Sequence, residues 1–180
     1  MSQRRQEIID AAMVIADEGG LDAVSMRTVA DHVGVTPMAL YRHFSNKTAL
    51  LDGMLERVVT SLPTARNAGT WDERLTALAD AYRGVAQRHP WSAQLLFSRP
   101  SVTPDATAVT EFIYAALRDA GVPEPHVGRL ERLVTTFVIG YAASEVLGRF
   151  ADRSIDLSAE FEADLADLRR LIEAAAHPET

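Results

Sequence analysis

The residues best equipped for chemistry crowd into one short stretch, Met38-Ala39-Leu40-Tyr41-Arg42-His43, with Lys47 just beyond it. A guanidinium, a phenol, an imidazole and an ammonium so close together suit gripping phosphate and reading base edges better than breaking bonds. On a helix, at about 100° per residue, Leu40 and Phe44 define an inward face. Arg42 and Met38 then point roughly the opposite way, with Ala39 beside them, and Tyr41 and His43 fall on the flanks. Such a helix fits a major groove: Arg42 reaches a guanine edge or a phosphate, Met38 or Ala39 touches a thymine methyl, and the flanks meet the phosphate walls. The competing reading is an exposed helix with a stray tyrosine. Lys47 lies in the first turn of the next helix, where the macrodipole disfavours a cation. A phosphate bound at that helix start would remove the conflict, and Arg27, in the first turn of another helix, supports the same argument.

Elsewhere the reactive side chains are scattered. His32, His43, His89, His126 and His177 form no close-spaced metal set, and the chain has no cysteine. GYAASE and HVGVTP lack the pattern of a phosphate-cradling loop, and no G-x-S-x-G elbow occurs. The expectation is a protein with no catalytic residues, no metal and no cofactor. Glu145, within an apolar helix, is expected to pair with Arg149 four residues on. His89, before Pro90 at a helix end, is explained by the C-terminal dipole.

The elements that must carry the cluster are helical, because apolar residues recur at helical spacing and no stretch alternates like a strand. The first helix runs from about Gln3 to Glu18, buries Ile8, Ala12, Ile15 and Ala16, and stops at Gly19-Gly20. Ser25 caps a second helix whose inward face is Met26, Val29, Ala30 and Val33, and Gly34 ends it. Thr36 caps a third, with Pro37 at its first position, ending near Phe44. Ser45 is the expected cap of a fourth, with Leu51, Met54, Leu55, Val58 and Leu62 along it and Pro63 closing it. After a loop at Thr64–Thr70, further helices follow at about 71–88, 90–98, 104–120, 124–150 and 158–175. Helix, tight turn at Gly34-Val35, helix over residues 25–44 is a helix-turn-helix.

The run SMRTVADHVGVTPMALYRHFSNKTALLDGM resembles the N-terminal domain of the TetR family of regulators. The resemblance lies in Gly34-Val35, Leu40-Tyr41-Arg42-His43-Phe44, Lys47 and Leu50-Leu51, and it covers about the first 60 residues. It implies DNA contact by Arg27, Thr36, Pro37, Met38, Ala39, Tyr41, Arg42, His43 and Lys47. Tyr41, His43 and Lys47 would mainly hold the backbone, whereas residues 36 to 39 and Arg42 would read bases.

The last helices show two patterns. Helix 158–175 carries Phe161, Leu165, Leu168 and Ile172 on one stripe, with its acids largely off it. Residues 133–147 are apolar nearly all round, so that helix must be covered on every side, and Gly140, Ala142, Ala143 and Ser144 permit close approach. A two-fold dimer is expected through these two helices, with Val138, Ala142, Val146, Phe161, Leu165, Leu168 and Ile172 in the interface. The segment HPWSAQLLFSRP and the helices after it resemble tetracycline-repressor-like C-terminal domains. That implies an apolar pocket for a small apolar or amphipathic effector, with Tyr82, Trp91, Leu95, Phe97, Phe112, Phe137 and Tyr141 as candidate lining. The polar ligands of a tetracycline–magnesium site do not align onto this chain.

The expected architecture is therefore all-α. A helix-turn-helix DNA-binding domain (1–47, motif 25–44) precedes a ligand-binding and dimerisation domain (48–180), joined by helix 46–62. The net charge of −7 argues against coating nucleic acid non-specifically. Residues 1–47 carry five basic and six acidic side chains, so placement must matter more than total charge. No membrane span or signal segment is evident, and a cytoplasmic protein is expected. The function expected is a dimeric repressor of a near-palindromic double-stranded DNA operator, released by a small molecule. The alternatives are an activator of the same fold, or an all-helical ligand-binding protein or enzyme without a DNA role.

Overall fold

A computed structural model describes residues 3–64, 69–98, 104–150 and 154–177, and among these it contains nine helices and no strand. The first is α1 (Gln3–Ala23), interrupted at Gly20, whose φ of 72° and ψ of 178° are open to glycine and little else. The regular helix thus stops where Gly19-Gly20 predicts. In α2 (Met26–Val33), Ser25 Oγ accepts from Thr28 N while Thr28 Oγ1 accepts from Ser25 N, a reciprocal cap. Gly34 closes α2 in the left-handed region (φ 74°, ψ 36°), and Val35 N then donates back to Ala30 O at 2.9 Å. That closure sets the turn into α3 (Pro37–Tyr41), capped by Thr36 with Pro37 at its first position.

The next helix, α4 (Lys47–Thr60), is capped by Asn46, not Ser45: Asn46 Oδ1 accepts from Ala49 N at 2.8 Å. Both residues are good caps, and the extended backbone falls at Asn46. Residues 65–68 of the expected loop lie outside the described residues. The second half comprises α5 (Trp71–Arg88), α6 (Trp91–Ser98), α7 (Pro104–Asp119), α8 (Glu124–Val146) and α9 (Leu157–Ala176). Helix α8 is shorter than the expected 124–150, because the chain turns off at Leu147 into Gly148 at φ 70°.

Packing joins the two halves through α4. Its first turns bury Leu50 and Met54 against the Ile8, Ile9, Ala12, Val29 and Leu40 side chains of the three-helix head, and Phe44 closes that head. Its later turns, through Leu55, Val58 and Val59, continue into the core shared by α5, α7 and α8. Among the described residues, three ion pairs bind α5 to its neighbours, the longest joining Asp72 to Arg169 of α9 at 3.9 Å. Arg74, buried apart from 4% of its side chain, pairs with Asp119 at the end of α7. Arg83 makes a bidentate pair with Glu145 of α8 (2.7 Å for each bond), so Glu145 does not pair with Arg149 as its spacing suggests. The side chains of both partners are under 15% exposed, and Gln87 adds a third bond to the carboxylate. A partner across the helix interface removes Glu145 from water more fully than one along its own helix. Arg83 accordingly holds the Glu145 carboxyl below the ordinary glutamate range.

Candidate nucleic-acid interface and effector cavity

The frame of α3 is rigid and its outer side is free. Leu40 and Phe44 are essentially wholly buried, each burial contributing roughly 1.5–3 kcal/mol to holding the helix in place. On the opposite side Met38 is 72% exposed, Tyr41 48%, and Arg42 is also exposed. Thr36 and Pro37 are exposed, whereas Ala39 and His43 are half-buried. Arg27, on α2, is exposed and only loosely paired with Asp31 at 3.9 Å. The exposures match the angular reading of residues 36–44, although α3 ends at Tyr41 and not near Phe44.

Lys47 needs a different account. Its Nζ donates to the carbonyl oxygen of Leu21 at 3.0 Å, just past the break in α1. That carbonyl offsets the cation's unfavourable place at the start of α4. An ammonium has three donors, so the contact leaves Lys47 able to donate further while pinning α4 to α1. Sequence reasoning also missed Arg5. Its Nη1 donates to His43 O at 2.8 Å and its guanidinium lies 4.0 Å from the centroid of the Phe44 ring, locking the end of α3 to α1. The long separation along the chain, with no motif at Arg5, gave no signal for this contact.

The second half holds a partly open, mainly apolar cavity of about 230 Å³. It is walled by Val59 near the end of α4 and Leu62 just beyond it, by Leu75, Leu78, Ala79 and Tyr82 of α5, and by Leu96 of α6. Val109, Thr110 and Ile113 of α7 and Glu131, Val134, Thr135, Val138 and Ile139 of α8 complete it. Of the seven candidate lining residues, the structure brings only Tyr82 here. Trp91 instead donates its indole N–H to Asp17 Oδ1 of α1 at 2.6 Å, and His89 Nδ1 meets the same oxygen at 2.8 Å. Leu95 and Phe112 are buried in the core away from the cavity, and Phe97 is 59% exposed. Phe137 and Tyr141 cluster with Phe161, and the Tyr141 hydroxyl donates to Leu157 O at 2.8 Å. The reason is helical phase. Phe137 and Tyr141 share the α9 side of α8, whereas Glu131, Val134, Thr135 and Val138 share the side toward α5 and α7. Tyr82 has its hydroxyl buried with no hydrogen-bond partner among the described residues, and burial pushes its ionisation well above the ordinary tyrosine value.

Within one protomer the expected dimer residues are largely covered. Ala142, Phe161, Leu165 and Ile172 are buried within one protomer, Val138 lines the cavity, and Val146 and Leu168 pack half-buried on the same core. An apolar stripe facing its own core and one facing a partner look alike in sequence. The large apolar side chains left open on α8 and α9 are Leu133 (39% exposed) and Leu171 (45%), with Leu147 (74%) just beyond α8; Thr136 is exposed and Gly140 half-buried. A Cβ placed on Gly140 would meet no atom within 4 Å. Among the described residues, no helix is long and apolar enough to cross a membrane.

Comparison with known proteins bears on both halves. The family model described as "Bacterial regulatory proteins, tetR family" matches residues 8–54, and that described as "Tetracyclin repressor-like, C-terminal domain" matches residues 62–179. The HTH-type transcriptional repressor DrrR1 of Streptomyces coeruleorubidus is 33% identical over 175 residues, which is 95% of this chain. The chain spans 65% of that relative's length. BioQ of Mycobacterium smegmatis, solved with its natural double-stranded DNA operator, is similar with a TM-score of 0.79 at 26% identity, covering 96% of this chain and 99% of that one. ActR of Streptomyces coelicolor in complex with (S)-DNPA is similar with a TM-score of 0.81 at 25% identity, covering 96% of this chain and 98% of that one.

Proposed function

Because this chain belongs to the tetR family of bacterial regulatory proteins, we propose that it is a dimeric DNA-binding repressor released from its operator by a small molecule. The observation that carries this reading is the exposed Met38–Tyr41–Arg42 face on an α3 whose other side is locked into the head. Arg42 and the Thr36–Ala39 segment read bases. Tyr41, His43, Lys47 and Arg27 hold the phosphates, Lys47 with the donors its Leu21 contact leaves over. Two such heads about 34–36 Å apart read successive major-groove turns of a near-palindrome. The repressor and operator named for DrrR1 and BioQ support the assignment.

The second copy docks on the open faces of α8 and α9. Gly140 lets the paired α8 helices approach closely, and Leu133 and Leu171 supply apolar area on either side. The effector occupies the cavity, as the small molecule named for ActR supports. Helix α4 transmits its presence: one end carries Lys47 at the DNA surface and the other places Val59 in the cavity wall. Over its 14 residues that lever is about 20 Å long. An effector that fits the cavity better in a state with displaced heads shifts the population toward release, by no more than its differential affinity.

Fluorescence anisotropy with duplex from the gene's own upstream region tests the reading. Affinity should fall steeply with salt. Arg42→Ala should cost about 1–3 kcal/mol, roughly 5- to 150-fold. Tyr41→Phe should weaken all sequences alike. Salt-independent binding, or full affinity in both variants, overturns the assignment.

A further inference from the structure

The cavity wall constrains the chemistry of its occupant, given the reading of that cavity as the effector site. Nearly all of its described lining is apolar, and among the described residues Glu131 is its one charged side chain. Glu131 Oε1 accepts from Thr135 Oγ1 at 2.9 Å, one helical turn on, and no cation pairs with the carboxylate among the described residues. The other two glutamates of α8 are served differently: Arg118 clasps Glu124, and Arg83 with Gln87 clasps Glu145. Across the cavity lining, Tyr82 is 94% buried and its hydroxyl has no hydrogen-bond partner among the described residues. Buried polar groups are almost always hydrogen-bonded, and a carboxylate against an apolar wall is costly unless it is paired. The half-buried Glu131 carboxylate and the buried Tyr82 hydroxyl border the same space.

We infer that the effector is a cationic amphiphile, whose compact apolar body fills the cavity and whose protonated amine sits on the Glu131 carboxylate. Thr135 holds that carboxylate in place, since its hydroxyl occupies one oxygen and leaves the other for the ligand. A hydroxyl or carbonyl elsewhere on the ligand pairs with Tyr82. Anionic compounds are disfavoured, because a like charge facing the half-buried Glu131 beside an apolar wall is repelled. A neutral alcohol gains a hydrogen bond but no charge pairing.

Three probes of one shape separate these cases: 9-(aminomethyl)anthracene, 9-anthracenemethanol and 9-anthracenecarboxylate. Each is titrated into the full-length protein by calorimetry and by anthracene fluorescence at neutral pH. The amine should bind at least tenfold more tightly than the alcohol, and the carboxylate more weakly than either. Glu131→Gln should bring the amine-to-alcohol ratio within threefold and leave alcohol affinity within threefold of wild type. Equal affinities for amine and alcohol in the wild type, or an unchanged ratio in Glu131→Gln, overturn the inference and leave the cavity as a neutral effector site. Binding of neither amine nor alcohol overturns the cavity reading itself.

Discussion

Replacing Asp17 by alanine should loosen the junction between the DNA-binding head and the effector half. Asp17 Oδ1 takes both the Trp91 indole N–H at 2.6 Å and His89 Nδ1 at 2.8 Å, across more than 70 residues of chain. Trp91 is only 5% exposed, so its N–H is left buried without a partner, a loss of about 1.5–3 kcal/mol for a bond to a charged acceptor. The His89 contact is wetter, with the two side chains 25% and 33% exposed. It adds no more than about 1 kcal/mol. The sum, about 1.5–4 kcal/mol, corresponds to a drop in Tm of roughly 3–16 °C for a chain of this size. Urea and thermal melts followed by circular dichroism measure it, and the double variant with Trp91→Phe assigns it. Once the indole N–H is gone, Asp17→Ala should cost about 1–2 kcal/mol less than in the wild type. Strict additivity, or an Asp17→Ala protein as stable as wild type, would refute the reasoning. Since α6 borders the cavity through Leu96, the same variant should also blunt effector-driven release while keeping operator affinity within about threefold.

Tyr82→Phe removes a buried hydroxyl that pairs with nothing in the described residues, so it should raise stability by about 1 kcal/mol in the ligand-free protein. A fall in Tm would show that the hydroxyl has a partner. Glu145, whose carboxyl Arg83 holds below its ordinary range, contributes stability that is present above the unfolded glutamate value and lost as pH falls through the lower folded one. Glu145→Gln should therefore lower stability by about 1.5–3 kcal/mol near neutrality, and the gap from wild type should close below about pH 4. An equal gap at all pH values contradicts the ion-pair account. Gly140→Lys should raise the helix propensity of α8 by several tenths of a kcal/mol yet block close approach of a second copy. Sedimentation should then find a folded monomer with much weakened operator binding, and a persisting dimer would place the interface elsewhere.

The local half of this protein was legible in its residues. Ser25, Gly34, Thr36 and Pro37 act on backbone only a few positions away, so their spacing alone sets α2, the turn and α3. With those helices fixed, the sides taken by Leu40, Phe44, Met38 and Arg42 follow from the helical repeat, and the candidate DNA surface follows with them. The tertiary structure decided which apolar face meets which neighbour. Phe137, Tyr141, Phe161 and Ile172 read equally well as pocket, interface or core, because burial is non-directional and an apolar stripe does not say what covers it. Pairings such as Arg83 with Glu145, Asp17 with Trp91, Arg5 with His43 and Lys47 with Leu21 were also settled there. Each joins groups far apart in the chain, and only the packing of whole helices brings such groups within reach.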